Sequence, residues 1–115
     1  MPEVITIRGA FRYVSRDALE EALWAARVLL DNSPPPLRFR CWITSRNTLS
    51  IDLTVPMFVD HDIAPSVCEL LGKSSLAARC VVRVKARFAD GTGTRRRASY
   101  PQLESILDEL VTEAA

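Results

Sequence analysis

An α+β fold of two layers, with one sheet covered on one side by helices, is what this 115-residue sequence predicts. Four stretches alternate apolar and polar residues with period two, as strands with a single buried face do. Three other stretches space their apolar residues as amphipathic helices do. The two kinds of stretch interleave along the chain, so the helices must cover the same sheet that the strands build.

Length and composition set the frame. A chain of this size that is 48% hydrophobic and 25% charged suits one core, so residues 1–115 are expected to form a single α+β domain. No apolar run approaches the roughly 18 residues a membrane span needs, and the opening Met1-Pro2-Glu3-Val4 lacks the basic flank and apolar stretch of a secretory signal. A cytoplasmic protein without a membrane partner is expected. Three cysteines without a C-x-x-C pair argue against a disulfide scaffold and a thiolate zinc site.

The first strand runs from Val4 to Val14, with Ile5, Ile7, Phe11 and Tyr13 on one parity and Thr6, Arg8 and Arg12 on the other. Ser15 then serves as an N-cap, with Asp17 in the first turn and Val14 and Leu19 placed as a hydrophobic staple. The helix that follows buries Leu19, Ala22, Leu23, Ala26 and Leu30, while Trp24 and Val28 form a second ridge. That ridge is expected to pack on the last helix, or to become a dimer contact if the last helix docks elsewhere. Three consecutive prolines within Asn32–Pro36 end the helix, since each lacks an amide donor and pushes its predecessor toward extended geometry.

Strand two, Leu37–Thr44, sets Leu37, Phe39, Cys41 and Ile43 against Arg38, Arg40, Trp42 and Thr44. The polar turn Ser45-Arg46-Asn47 leads into strand three, Thr48–Val55, where Leu49, Ile51, Leu53 and Val55 alternate with Ser50, Asp52 and Thr54. A hairpin is the natural consequence. Pro56 stops the ladder; Asp62 as N-cap, Pro65 in the first turn and Gly72 as the residue after the end delimit a short second helix. Strand four, Cys80–Phe88, faces Cys80, Val82, Val84, Ala86 and Phe88 inward and Val81, Arg83, Lys85 and Arg87 outward. A turn at Asp90-Gly91-Thr92-Gly93 then returns the chain as a short basic edge strand over Thr94–Tyr100. Ser99 and Gln102 have capping-box spacing, and Leu103, Ile106, Leu107, Leu110 and Val111 give the final amphipathic helix.

This order predicts a ferredoxin-like βαββαβ sandwich with an added C-terminal short strand and amphipathic helix. Right-handed crossovers are expected to put strands one and four in the middle of the first four and to pair strands two and three.

Charge divides between the layers. The strand segments carry net +9 and the helical segments net −8, although the whole chain is only +1. The outward strand parity presents Arg8, Arg12, Arg38, Arg40, Arg83, Lys85 and Arg87 with Trp42 among them, against the single carboxylate of Asp52. Thirteen of the fifteen basic residues are arginines, whose planar fork suits phosphate, carboxylate and aromatic partners. A solvated face is the plainest account of such a surface. Nucleic acid is a second, through phosphate contacts and stacking, although Thr48–Val55 lacks the aromatics of an RNA-recognition motif. Meeting an acidic protein surface or another copy is a third.

No catalytic constellation emerges. His61 is the only histidine and sits in Asp60-His61-Asp62, where neighbouring side chains splay apart and capping of the next helix explains the carboxylates. Cys41 and Cys80 share the buried parity of their strands, and Cys68 lies beside the stripe of the short helix. Gly91-Thr92-Gly93-Thr94 lacks the G-x-x-x-x-G-K-[ST] pattern and leads into a strand, so it reads as a turn. Arg95-Arg96-Arg97-Ala98-Ser99 resembles a basic-directed phosphorylation sequence, but so short a pattern is frequent by chance and Ser99 has a capping role, so the segment reads as a guard against unwanted edge pairing. The sequence therefore points to a small non-catalytic interaction or regulatory module, expected as a homodimer without metal or cofactor. The alternative is a nucleic-acid-binding module that uses the basic sheet face.

Overall fold

Alternation and amphipathic spacing become nine elements in a computed structural model that describes residues 3–31, 38–45, 47–56, 63–73, 75–76 and 81–113. They are β1 (Val4–Arg12), α1 (Arg16–Asp31), β2 (Arg38–Ser45), β3 (Thr48–Pro56), α2 (Ile63–Lys73), β4 (Val81–Arg87), β5 (Gly93–Ser99), a 3-10 turn (Tyr100–Gln102) and α3 (Leu103–Glu113). The fold is α+β, with three helices and one five-stranded antiparallel sheet in the order β2-β3-β1-β4-β5.

Strands two and three form the expected hairpin. Strands one and four, expected as the middle pair of the first four, are not the middle pair found. Among the first four strands the middle pair is β1 and β3, and β4 lies outside β1 with β5 beyond it. The crossover through α1 leaves one strand slot open between β1 and β2, and the returning β3 fills it. The β3–α2–β4 connection then steps over β1 in the same way.

The inner parity makes the core. Ile5, Ile7 and Phe11 of β1, Leu49 to Val55 of β3, Val82 to Ala86 of β4 and Ala98 of β5 supply alternate buried side chains beneath the helices. Leu19, Ala22 and Ala26 of α1, Val67 and Leu71 of α2, and Leu103, Leu107 and Leu110 of α3 close over them. Strand one ends at Arg12 rather than Val14, but Tyr13 remains buried and its hydroxyl donates to the carbonyl of Leu71. That bond satisfies a carbonyl in the last turn of α2, one of those a helix end leaves without an intrahelical donor.

The cap of α1 forms as expected, with Ala18 N–H donating to Ser15 Oγ at 3.2 Å. Its staple does not close, because Val14 stands 70% exposed while Leu19 is buried. Gly72 is not a residue beyond the helix end. It is buried inside the last turn of α2, where a Cβ would stand 2.5 Å from Cδ1 of Tyr100, so glycine here provides room for a ring. Gly91 is the position that needs glycine's conformational freedom, with φ +90° in the β4–β5 turn. Phe88 belongs to that turn rather than to β4, donating its N–H to Thr92 O at 2.9 Å. At the other end of β5, the 3-10 turn precedes α3, and Ser99 N–H reaches Gln102 Oε1 at 3.5 Å.

Asn32–Pro36, Leu37, Arg46, Asp60-His61-Asp62 and Cys80 lie outside the described residues. Among the described residues, no helix is long and apolar enough to cross a membrane.

Candidate functional site

A strand places every second side chain on one face, and register decides which of those side chains become neighbours. On the face opposite the helices, Arg8 of β1 stands across from Asp52 of β3 on one side and Arg83 of β4 on the other. Arg83 in turn stands across from Arg97 of β5. The next row along the strands runs Arg38, Thr54, Thr6, Lys85 and Arg95. Of the seven cations in these two adjoining rows, five, Arg8, Arg83, Lys85, Arg95 and Arg97, are neighbours across β1, β4 and β5. They line a shallow depression of about 580 Å³ floored by Thr6.

One carboxylate answers them. Asp52 Oδ2 lies 3.3 Å from Arg8 Nε, with the Asp52 side chain 16% exposed and that of Arg8 70%. The pairs Arg8–Arg83, Arg83–Arg97 and Lys85–Arg95 set like charges directly opposite one another, which destabilises a sheet. A cluster assembled at a cost to the fold is one that an anion can relieve.

The remaining outward residues expected as site residues take different places. Arg87 and Arg38 flank a second depression of about 410 Å³ with Lys85, over Thr6 and Thr54. Arg40 is exposed on the edge strand opposite Asp52. Trp42 is exposed one row further along, opposite Ser50, so it stands at the sheet edge about 12 Å from Arg8 by strand spacing. Arg12 sits opposite Thr48, two rows from the cluster centre. The structure therefore unites Arg8, Arg83 and Lys85, sets Arg38 and Arg87 beside them, and leaves Arg12, Arg40 and Trp42 peripheral.

Two members of the cluster come from the segment read as an edge guard. Arg95 and Arg97 point to the open face because Ala98, the one apolar side chain of β5, is drawn into the core and fixes the parity of its neighbours. Arg96 is correspondingly on the helix side, partly buried. Ala98 was the signal available in the sequence for this assignment.

Other candidate groups are placed by their packing. Cys68 is buried in α2, and burial pushes its thiol up to about 12, which removes thiolate reactivity at neutral pH. Cys41 is partly buried, with the Arg27 guanidinium 3.3 Å from its sulfur. Asp90 caps its own turn, accepting from Thr92 Oγ1 at 2.6 Å and from Thr92 N at 2.9 Å. These bonds, the side-chain one foremost, hold its carboxyl below the usual aspartate range. Among the described residues, no group of three or more His, Cys, Asp and Glu side chains is placed to hold a metal ion.

The expected packing of Trp24 and Val28 on the last helix is not what the fold provides. α3 docks on β5 and the 3-10 turn, α1 packs against α2, and Trp24 remains 69% exposed with Val28 at 42%.

Comparison with known proteins finds no matching family model, no matching curated protein and no matching solved structure.

Proposed function

We propose that the protein is a small non-catalytic binding module of the cytoplasm whose open sheet face takes a single-stranded nucleic acid through its phosphates. The observation that carries this reading is the cross-strand cluster of Arg8, Arg83, Lys85, Arg95 and Arg97, opposed by one carboxylate. Arginine forks on a flat, water-accessible surface suit phosphodiester oxygens, and ligand phosphates relieve the repulsion within the like-charged pairs. The outward positions of the central strands are Thr6, Arg8 and Ala10 on β1 and Ser50, Asp52 and Thr54 on β3, with no aromatic ring among them. Bases have no central stacking platform, so recognition rests on backbone charge, with Trp42 at the rim as the one stacking surface of this face among the described residues. Binding that is insensitive to base sequence follows.

Fluorescence anisotropy with a labelled 20-nucleotide oligo-dT tests the reading. Affinity is expected to fall with salt at a slope of about −3 in log–log form, from four to five phosphate contacts at about −0.7 each. Arg83→Glu combined with Lys85→Glu is expected to weaken binding by about 30-fold or more without changing the circular dichroism spectrum, since both residues are exposed. Binding that survives the double reversal overturns the assignment.

A protein-interaction role, including regulation through self-association, is the second reading, and the exposure of Trp24 favours it. Trp24→Ala is then expected to weaken association while leaving the circular dichroism spectrum in place.

A further inference from the structure

Ser99 is the one serine or threonine of the chain with a basic residue both two and three positions before it, in Arg96-Arg97-Ala98-Ser99. Spacing alone leaves that match to chance, but the fold gives it a place. Ser99 is the last residue of β5, and β5 ends the sheet. Among the described residues, no strand pairs with the outer edge of β5, so the segment offers an extended backbone along an open edge. Arg95 and Arg97, four and two positions before Ser99, are exposed, and Ser99 itself is partly exposed.

Parity puts Ser99 on the open face together with Arg95 and Arg97, because Ala98 is the residue of β5 that turns into the core. Its cross-strand neighbour is Val81, 57% exposed, and one row away stands the like-charged pair of Arg83 and Arg97. Arg97 is about 7 Å along the strand and Arg83 about 7–8 Å away on the diagonal, distances that long side chains span. Asp52, the carboxylate of this face, lies three strands away on β3. An anion carried on Ser99 therefore meets two guanidinium groups of the cluster at a distance from that acid.

We propose that Ser99 is a phosphorylation site for an arginine-directed serine kinase, and that the phosphate placed there closes the basic face to nucleic acid. In the transfer the Ser99 Oγ forms a bond to the γ-phosphorus of a nucleoside triphosphate and the bond from that phosphorus to the β–γ bridging oxygen breaks. The nucleoside diphosphate leaves, and the hydroxyl proton passes to the carboxylate base of the kinase. The product carries a charge of about −1.5 to −2 at neutral pH and three acceptor oxygens, which take charge-assisted hydrogen bonds from Arg83 and Arg97. Because the phosphate is tethered, it occupies these two cations ahead of a phosphodiester arriving from solution. The closure of the face rests on the nucleic-acid reading, whereas the modification and its contact with the Arg83–Arg97 pair do not.

The test treats the full chain, well below its melting midpoint, with Mg-ATP and the catalytic subunit of cyclic-AMP-dependent protein kinase. One phosphoryl group per chain is expected by intact mass, located at Ser99 by fragmentation and absent from Ser99→Ala. The melting midpoint is expected to rise on phosphorylation, since the like-charged pair gains an anion, and to rise less in Arg83→Ser. Oligo-dT affinity is expected to fall by about ten-fold or more at low salt. The log–log salt slope is expected to shrink from about −3 to about −1.5, as two contacts of about −0.7 each are lost. Ser99→Ala is expected to keep the unmodified affinity with or without kinase treatment. A folded chain that takes no phosphate at Ser99 overturns the proposal. A phosphorylated chain that binds oligo-dT as before overturns the closure of the face, and one whose midpoint does not rise overturns the contact with Arg83 and Arg97. An unmodified chain that fails to bind oligo-dT overturns the nucleic-acid reading and the closure with it, while incorporation and the midpoint still decide the site at Ser99.

Discussion

The two faces of this sheet are built from the same five strands, yet they do opposite work. The helix-side face buries Ile7, Leu53 and Val84 almost completely. One residue away on each strand, Arg8, Asp52 and Arg83 stand in one row of the open face. Burial on the first face supplies the stability that the second can then spend on like-charged neighbours. The comparison shows how period-two alternation separates the residues that hold a fold from those free to bind.

The sharpest way to break this comparison is to test both faces with equal truncations. Leu53→Ala is expected to cost about 2–5 kcal/mol in urea unfolding, because it removes a fully buried side chain and leaves a cavity. Thr54→Ala, next to it on the open face, is expected to stay within about 0.5 kcal/mol. Equal losses from the two would erase the distinction between the faces.

Gly72→Ala tests the helix side at finer scale. The added methyl meets the Tyr100 ring, so a loss of about 1–3 kcal/mol is expected from overpacking, measured by thermal or urea melting. A stabilised variant would show instead that helix propensity outweighs the packing at this site.

On the open face the expected signs reverse. Arg97→Ser removes one like-charge pair, so the melting midpoint is expected to rise slightly, while oligo-dT affinity falls by about three- to ten-fold at low salt. A purely solvated face would show the first change without the second. Added polyphosphate is expected to raise the midpoint of the wild-type protein more than that of the Arg83→Glu, Lys85→Glu double variant.

The smallest effect concerns the turn joining β4 to β5. Because hydrogen bonds from Thr92 lower the carboxyl of Asp90, their contribution is complete above the ordinary aspartate range and is lost as pH falls through the depressed value. Protection of the Thr92 amide, measured against its intrinsic exchange rate, is expected to be lost only in that acid range. In Asp90→Ala that protection should be absent at every pH, without a measurable change in global stability.

Much of this was legible before any coordinates. The cap at Ser15, the β2–β3 hairpin, the inward parity of β1, β3 and β4, and the outward exposure of Arg8, Arg83 and Lys85 all follow from spacing within short windows. Gly72 was not legible as a packing residue, because glycine near a helix end ordinarily marks the residue beyond it and nothing local reveals that the Tyr100 ring lies against it. Val14 was read as half of a staple, yet the chain leaves β1 at an angle that keeps it exposed. Arg95 and Arg97 were assigned to an edge guard, since their membership in the cluster depends on which strand β5 joins.

The sequence by itself determined which segments are strands or helices and which side of each faces the core, because backbone periodicity turns spacing directly into direction. Only the tertiary structure decided which strands are neighbours. It drew Arg8, Arg83, Lys85, Arg95 and Arg97 into one cluster, left Arg40 and Trp42 at an unguarded edge, and docked α3 away from Trp24. Adjacency between segments tens of residues apart is set by crossover paths and strand register, which depend on how the whole core closes and not on any local window.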